Sequence, residues 1–533
     1  MKPNKLFPLI LLLALLAGCA APTTPLPPIS TPVPPTETLV PTQTPIPTAT
    51  FTPTATPYPQ LSSDGPYFAY MKRDGKQEFV VLLDADGKGR KDVLLPIDGH
   101  YFSYDLSHLS PDGKWLAYYK GSPNDFQYSV EYPHQSPYDL SLYLFNLETK
   151  ESKLITPLLS DDFPNNFQKQ ADIFYTSSIP TDLSSPNDDI PLELYRSFIN
   201  GIRSAAWSPD GRYLAFASQV NGLSSDLYVY DMESQSIRQL SSDSEEIQQI
   251  SWSPDGQSVL YGSAYEVGEG MICSNYISSV DGISFRTLWN SSICGNPEVW
   301  MNDFVYLEYD AANVRGRFDL TSVDTRTGNI AVYWEGSFHS YSFDSQKQLI
   351  LVSDSLDPYR PNDVTEGLYL INIATGQQTR IADGQWLIEF FGVGDRRFVA
   401  SNWENRDYVP TYFVNSDGSL TKIEGNVKTV TASPDKQYWL MIDNKISVFA
   451  ADNTLVREVN LPAQSKKNSG VNPIWSPDSR SLFFEYYNFP LTQDGYYSLY
   501  YLNLPSNDLN LIERDWKYWF YSAPPFQWVF PNQ

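Results

Sequence analysis

A short turn, Ser-Pro-Asp, begins at Ser110, Ser208, Ser253, Ser433 and Ser476, and its spacing constrains this chain more than any other feature. The intervals 208–253 and 433–476 are each near 44 residues, and 253–433 is close to four such units. A chain that returns to one turn at a period of 40–50 residues is assembled from repeats, each a single supersecondary unit. Used as a ruler, the period predicts three altered turns inside the long interval. The chain supplies WMND at Trp300, SFDS at Ser342 and GVGD at Gly392, and SSDG at Ser62 lies about one period before Ser110. The 110–208 interval is about two periods long yet carries one set of strands, which implies an insertion at about 157–201.

Within the clearest unit, IRSAAW (Ile202 to Trp207) reads as one short strand, SPDG as the turn and RYLAFAS as the second strand. DLYVYDMESQ supplies a third strand and turn, and SIRQL a fourth. Runs of six to eight residues that alternate polar and apolar are half-buried strands. An aromatic content of 14%, with 36 Tyr, favours strands over helices. Four antiparallel strands per repeat, repeated many times, describe an all-β propeller. The pattern W-S-P-D-G-x-x-[LI]-[AV]-[FY] followed by D-[LI]-[YW]-[VL]-x-[DN] resembles the TolB-type, WD-repeat-like propeller unit. DLYVYD (Asp226 to Asp231), LSLYLFN (Leu140 to Asn146), GLYLIN (Gly367 to Asn372) and SLYYLN (Ser498 to Asn503) fit its second half. That likeness implies a fold and not an activity.

Counting turns gives nine sets of strands, against the usual four to eight blades, so the expectation is a single propeller of eight or nine. The first set lacks a leading strand, and PPFQWVF (Pro524 to Phe530) is a leading strand without a set. Pairing the two closes the ring and removes the open sheet edge.

The turn itself has a conformational explanation. Pro fits its second position, Asp its third, and Gly its fourth, where positive φ costs least. Ser and Asp side chains bond nearby amides. The aspartates Asp112, Asp210, Asp255, Asp435 and Asp478 fall on separate blades and would not converge on one site.

Ahead of the repeats, Lys2 and Lys5 precede an apolar run, Leu9 to Leu16, too short to span a bilayer, which reads as a secretory signal. It ends in Leu16-Ala17-Gly18-Cys19, which resembles the bacterial lipobox. The resemblance implies removal of residues 1–18 and lipidation of Cys19, and hence a membrane-anchored protein facing outside the cytoplasm. Residues 19–60 are Pro/Thr-rich, cannot build a core, and form an extended tether. Fully extended, its roughly forty residues reach about 120 Å. The propeller is expected over 61–533. The formal net charge of −25 argues against nucleic acid as a partner. Two further cysteines, Cys273 and Cys294, are candidates for a disulfide in an oxidising compartment. With four histidines in the chain, no zinc or other metal site and no cofactor is expected.

Propeller topology places first-to-second and third-to-fourth turns on one face, and the remaining connections on the other. The long connections fall in the second group: 121–139, 157–201, 264–270, 353–367, 403–409 and 488–495. Long loops on one rim of a rigid scaffold are where binding concentrates. The candidate rim residues are Tyr128, Tyr132, Tyr138, Tyr359, Arg360, Trp403, Arg406 and Tyr408. Aromatic faces beside charged groups suit sugar rings or peptide anchors. The expectation is a non-catalytic scaffold for a protein, peptide or cell-surface glycan. The alternative is a carbohydrate-active hydrolase or lyase using rim acids such as Asp161, Asp162, Asp188, Asp189, Asp363 and Glu366. No catalytic residue is assigned. An attached α/β-hydrolase domain is not expected, because no G-x-S-x-G elbow occurs in these residues and the repeats occupy nearly all of them after the tether.

Overall fold

The computed structural model divides into Met1–Thr56 and Pro57–Gln533. It describes residues 59–533 apart from 63, 75–76, 97–100, 104–107, 122–139, 161–204, 221–224, 242–245, 268–269, 292–298, 304, 312–317, 356–365, 404–408, 426, 444, 462–468, 489–495, 507, 517–525 and 532–533. The described strands form nine four-stranded antiparallel sheets in meander order. Numbered along the chain, blade two spans 101–157, three 205–239, four 246–291, five 299–334, six 338–383, seven 386–423, eight 429–460 and nine 469–516. Blade one combines strands within 67–94 with the C-terminal strand Phe526–Val529. The nine repeats counted from turns are the nine blades, and the three altered turns fall between the first and second strands of blades five, six and seven.

Each sheet is apolar on both faces because it packs between two others, so inner strands are nearly continuous hydrophobic runs. Leu349–Asp354 is buried at every position, whereas the outer strand Ser236–Gln239 is exposed at every position. Nine hydrophobic clusters result among the described residues, and each is shared by two successive blades. One of them joins blade nine to blade one: Phe483, Leu499 and Tyr501 pack against Phe68, Tyr70 and Phe526. The ring is therefore closed. Backbone pairing of Tyr67 with Val529, Phe68 with Trp528, Ala69 with Gln527 and Tyr70 with Phe526 completes the closure. A charged cluster spans the same seam. Glu513 of blade nine accepts from Arg90 (2.6 Å), Tyr70 (2.9 Å) and Lys72 (3.2 Å) of blade one, and Arg90 also grips Asp92 with two bonds.

The five Ser-Pro-Asp turns share one hydrogen-bond pattern. In blade three the Ser208 hydroxyl donates to Asp210 (2.6 Å) and accepts from the Tyr213 amide (2.9 Å), while Asp210 accepts from the Arg212 amide (3.0 Å). The fourth residue has positive φ: 70° at Gly211, and 61° at both Lys436 and Ser479, where glycine is replaced. A further copy went unread in the sequence. Ser279-Val-Asp-Gly282, a third-to-fourth turn in blade four, makes the same bonds, Ser279 to Asp281 at 2.5 Å and the Ser284 amide to Ser279 at 2.9 Å.

Other hairpins use a different device. The Asp or Asn that ends the third strand caps the next turn: Asn146 accepts from the amides of Glu148 (2.8 Å) and Thr149 (2.9 Å), and Asp324 from those of Arg326 (2.9 Å) and Thr327 (3.1 Å). Blade six adopts this second device between its first two strands. Asp344 caps the amides of Gln346 (3.0 Å) and Lys347 (3.2 Å), so SFDS is a different turn and not a worn copy of the first. Its other carboxylate oxygen pairs with Arg397 of blade seven, both side chains being buried. Tryptophans at the ends of leading strands tie blade to blade, Trp207 donating to the His108 carbonyl (2.7 Å) and Trp252 to that of Ala206 (2.9 Å).

One expected loop is partly strand. In the 264–270 connection, Ser258–Val267 and Gly270–Ser279 continue as a paired hairpin up to Val267 opposite Gly270. Among the described residues no helix is long and apolar enough to cross a membrane.

Candidate functional site

The repeated aspartates are occupied. Each Ser-Pro-Asp carboxylate receives the turn serine and an amide two residues on, and all five serines are buried. These hydrogen bonds hold the Asp435 carboxyl below the usual range although its partial burial pushes the other way. Neighbouring turns also touch: a Cβ at Gly211 would lie 3.4 Å from Pro111, and one at Gly256 3.6 Å from Pro209. That face is a set of interlocking hairpins.

Of the residues expected on the other face, Tyr128, Tyr132, Tyr138, Tyr359, Arg360, Arg406 and Tyr408 lie outside the described residues, as do the acids Asp161, Asp162, Asp188, Asp189 and Asp363 and insertion residues 161–201; so do Cys19 and Cys294. Cys273 stands opposite Ser291 in the register of blade four. Trp403 and Glu366 are described, and the structure brings both to the junction of blades six and seven.

That junction is built by the chain passing from the last strand of blade six, Gln377–Asp383, to the first of blade seven, Trp386–Val393. The Glu366 carbonyl accepts from the Gly384 amide (2.9 Å) and from Arg380 (3.0 Å), and the Gln385 carbonyl accepts from the Trp403 amide (2.9 Å). The Glu366 carboxylate lies 3.1 Å from His339 Nε2, and Arg380 pairs with Asp383 at 2.7 Å. Buried Trp386 fixes the corner from beneath. Its indole donates to the Asp383 carbonyl (3.0 Å), its amide to Ser353 (2.9 Å), and its carbonyl accepts from Ser340 (2.7 Å). Gly367 permits the close approach, because a Cβ there would lie 2.9 Å from Arg380 Nε. Trp403 remains 51% exposed at this edge and is the only exposed tryptophan among the described side chains.

His339, Arg380 and Asp383 were not singled out from the sequence. Glu366 and Trp403 were legible because they flank long connections, whereas their partners sit inside ordinary strands. Sequence reading also passed over Glu485, a carboxyl buried in blade nine and pushed up to about 7 by burial. Among the described residues no group of three His, Cys, Asp or Glu side chains is placed to hold a metal ion.

The architecture defines a class, the all-β propeller with nine four-stranded blades. No family model and no curated protein matches the chain. Similar solved structures include TolB from Acinetobacter baumannii, 16% identical over 61% of this chain and 65% of that one, with a TM-score of 0.28. Porphyromonas gingivalis dipeptidyl peptidase 4 is 12% identical over 80% of this chain and 65% of its own, TM-score 0.41. A eukaryotic initiation factor is 12% identical over 86% and 98%, TM-score 0.49. The matches to TolB and to the peptidase each span less than two thirds of those chains.

Proposed function

We propose that this chain is an extracytoplasmic, membrane-anchored lipoprotein whose propeller binds a protein, peptide or surface glycan through its insertion-rich face, without catalysis. In this reading residues 1–18 are the signal, Cys19 carries the lipid, 19–60 form the tether, and 61–533 form the binding domain. The observation that carries the binding part is the inequality of the two faces. On one, the repeated carboxylates are spent on turn geometry. The longest connections join strand ends on the other, and long connections on one side of a scaffold are where recognition concentrates. Of the rim acids, Glu366 is engaged by His339, which supports a structural role for it.

The test is capture of labelled surface glycans and proteins by the purified full chain, with the captured material then assayed for change. Capture without turnover, retained when rim acids are neutralised, is the expected result. Turnover abolished by one acid substitution would replace this reading with the carbohydrate-active enzyme. Anchoring has its own readout: Cys19→Ala should move the protein from the membrane to the soluble fraction and remove the acyl mass from the N-terminal peptide.

A further inference from the structure

We propose that the seam closing the ring is a pH-operated clasp, in which ionisation of Glu485 loosens the Phe526 end of the C-terminal strand from blade one. The inference stands apart from the binding reading, and either can fail without the other.

Glu485 is placed in the seam by its strand. Ser481–Asn488 pairs on both sides without a shift near it, so Glu485 shares the face of Phe483, whose ring stacks on Phe68 of blade one at 4.1 Å. Its register partner, Leu499, packs in one cluster with Tyr70 and Phe526. Glu485 is 6% exposed, and among the described residues no hydrogen bond or ion pair reaches its carboxyl. The other titratable groups of the seam are engaged elsewhere. Lys72 and Arg90 of blade one pair with Glu513, Arg90 also with Asp92, and the Tyr70 hydroxyl donates to Glu513. Tyr501 accepts from Asn503, and Asp74 lies exposed at the strand end. The strand Gln77–Asp84 and the C-terminal strand turn apolar side chains to this cluster. A buried carboxylate without a partner is costly, so a group placed like Glu485 keeps its proton, and burial pushes it up to about 7.

How the seam is fastened decides what gives way. Its outer half is held by the ion pairs and hydrogen bonds of Glu513. Its inner half depends on Phe526–Val529, four residues paired with a single neighbour. One end of that strand is fixed to blade two: the Phe530 amide donates to the Pro111 carbonyl (2.8 Å), and a Cβ at Gly113 would lie 2.8 Å from Val529. The other end meets blade nine. The Phe68 ring contacts both Phe483 (4.1 Å) and Phe526 (5.2 Å), and Tyr70, opposite Phe526, reaches the Glu513 that stands beside Leu499. The Phe526 end and the lone carboxyl thus share one height in the seam. Loosening that end admits water to Glu485 while the Glu513 cluster and the Pro111 bond stay intact. With the carboxyl near 7 when closed and near 4.5 when open, closure is favoured at low pH and weakens as pH rises through 7. Between pH 5 and 8 this linkage raises the opening equilibrium by up to about 70-fold.

The experiment is amide exchange of the full chain from pH 5 to 8, read by mass spectrometry as protection relative to the unstructured rate at each pH. It compares the wild type with two uncharged replacements, Glu485→Gln and Glu485→Met. In the wild type, peptides covering the closing strand Phe526–Val529 and its partner Tyr67–Tyr70 should lose protection by about tenfold or more across that range. Peptides covering Arg90–Leu94 and Asp508–Trp516, in the outer half of the seam, and Tyr213–Ser218 in blade three should hold theirs. In whichever replacement folds, all of these profiles should be flat. A flat profile at the closing strand in the wild type, the same loss in E485Q or E485M, or loss shared equally by the outer half of the seam and blade three overturns the clasp.

Discussion

Replacing Glu485 by Gln should stabilise the protein, and only above about pH 5. Glu485 lies on Ser481–Asn488, level with Asn472 on one side and with Leu499 and then Glu513 on the other. It shares the sheet face of Phe483, which stacks on Phe68 of blade one (4.1 Å between ring centroids). Glu513 on that face is neutralised by Arg90 and Lys72, whereas burial alone acts on Glu485 and raises it from 4.5 to about 7. The folded state therefore holds a proton that the unfolded chain releases above about pH 4.5. Stability from this group is fully present below that value and is lost as pH rises through 7. At about 1.4 kcal/mol per unit, the shift corresponds to a penalty of about 3 kcal/mol at pH 8. Glutamine keeps the shape and removes the charge. E485Q should exceed wild type by about 2–3 kcal/mol at pH 8 and match it near pH 4.5, a rise on the order of 3 °C for a domain of this size unfolding cooperatively. Denaturant midpoints for both proteins at half-unit pH steps give the difference curve. A curve flat from pH 5 to 8, or E485Q less stable at pH 8, would refute the argument.

Three other perturbations probe the ring. Arg397→Met strands the buried Asp344 carboxylate between blades six and seven and should cost about 3–5 kcal/mol. Adding Asp344→Asn, which keeps the turn acceptor and removes the charge, should recover most of that loss in denaturation; equal stability of R397M and wild type would show the pair to be idle. Ser208→Ala removes a buried hydroxyl that serves both Asp210 and the Tyr213 amide, and should cost about 1–3 kcal/mol while leaving ligand capture unchanged. Deleting residues 524–533 takes away the strand paired to Tyr67–Tyr70 and opens a sheet edge. Light scattering should then report association, and a monomer with the wild-type melting temperature would mean that closure does not depend on this strand.

What could be read in advance is local. A Ser-Pro-Asp turn is completed within six residues: Ser208 reaches Asp210 and Tyr213, and the fourth position needs a left-handed backbone. Such chemistry leaves a mark wherever it occurs, so its spacing located even the blades whose turns differ. The orphan strand at Phe526 followed from the same period. Even here the reading had limits, because Asp344 looked like a worn copy of one turn when it forms another.

The charged groups followed no such rule. Arg397 meets Asp344 across 53 positions, and Tyr70 meets Glu513 across 443. Neither separation has a period, because each depends on which side chains two independently formed sheets present at the same height. At the corner near Trp403, Glu366 and Trp403 announced themselves beside long connections, whereas His339, Arg380 and Asp383 are paired within blade six and no repeat or turn motif marks them. The sequence by itself determined the repeat, the turns and the closing strand, since these arise from bonds between near neighbours in the chain. Only the tertiary structure decided which charges are paired, which carboxyl is buried alone and which indole stays in water, since those depend on packing between blades.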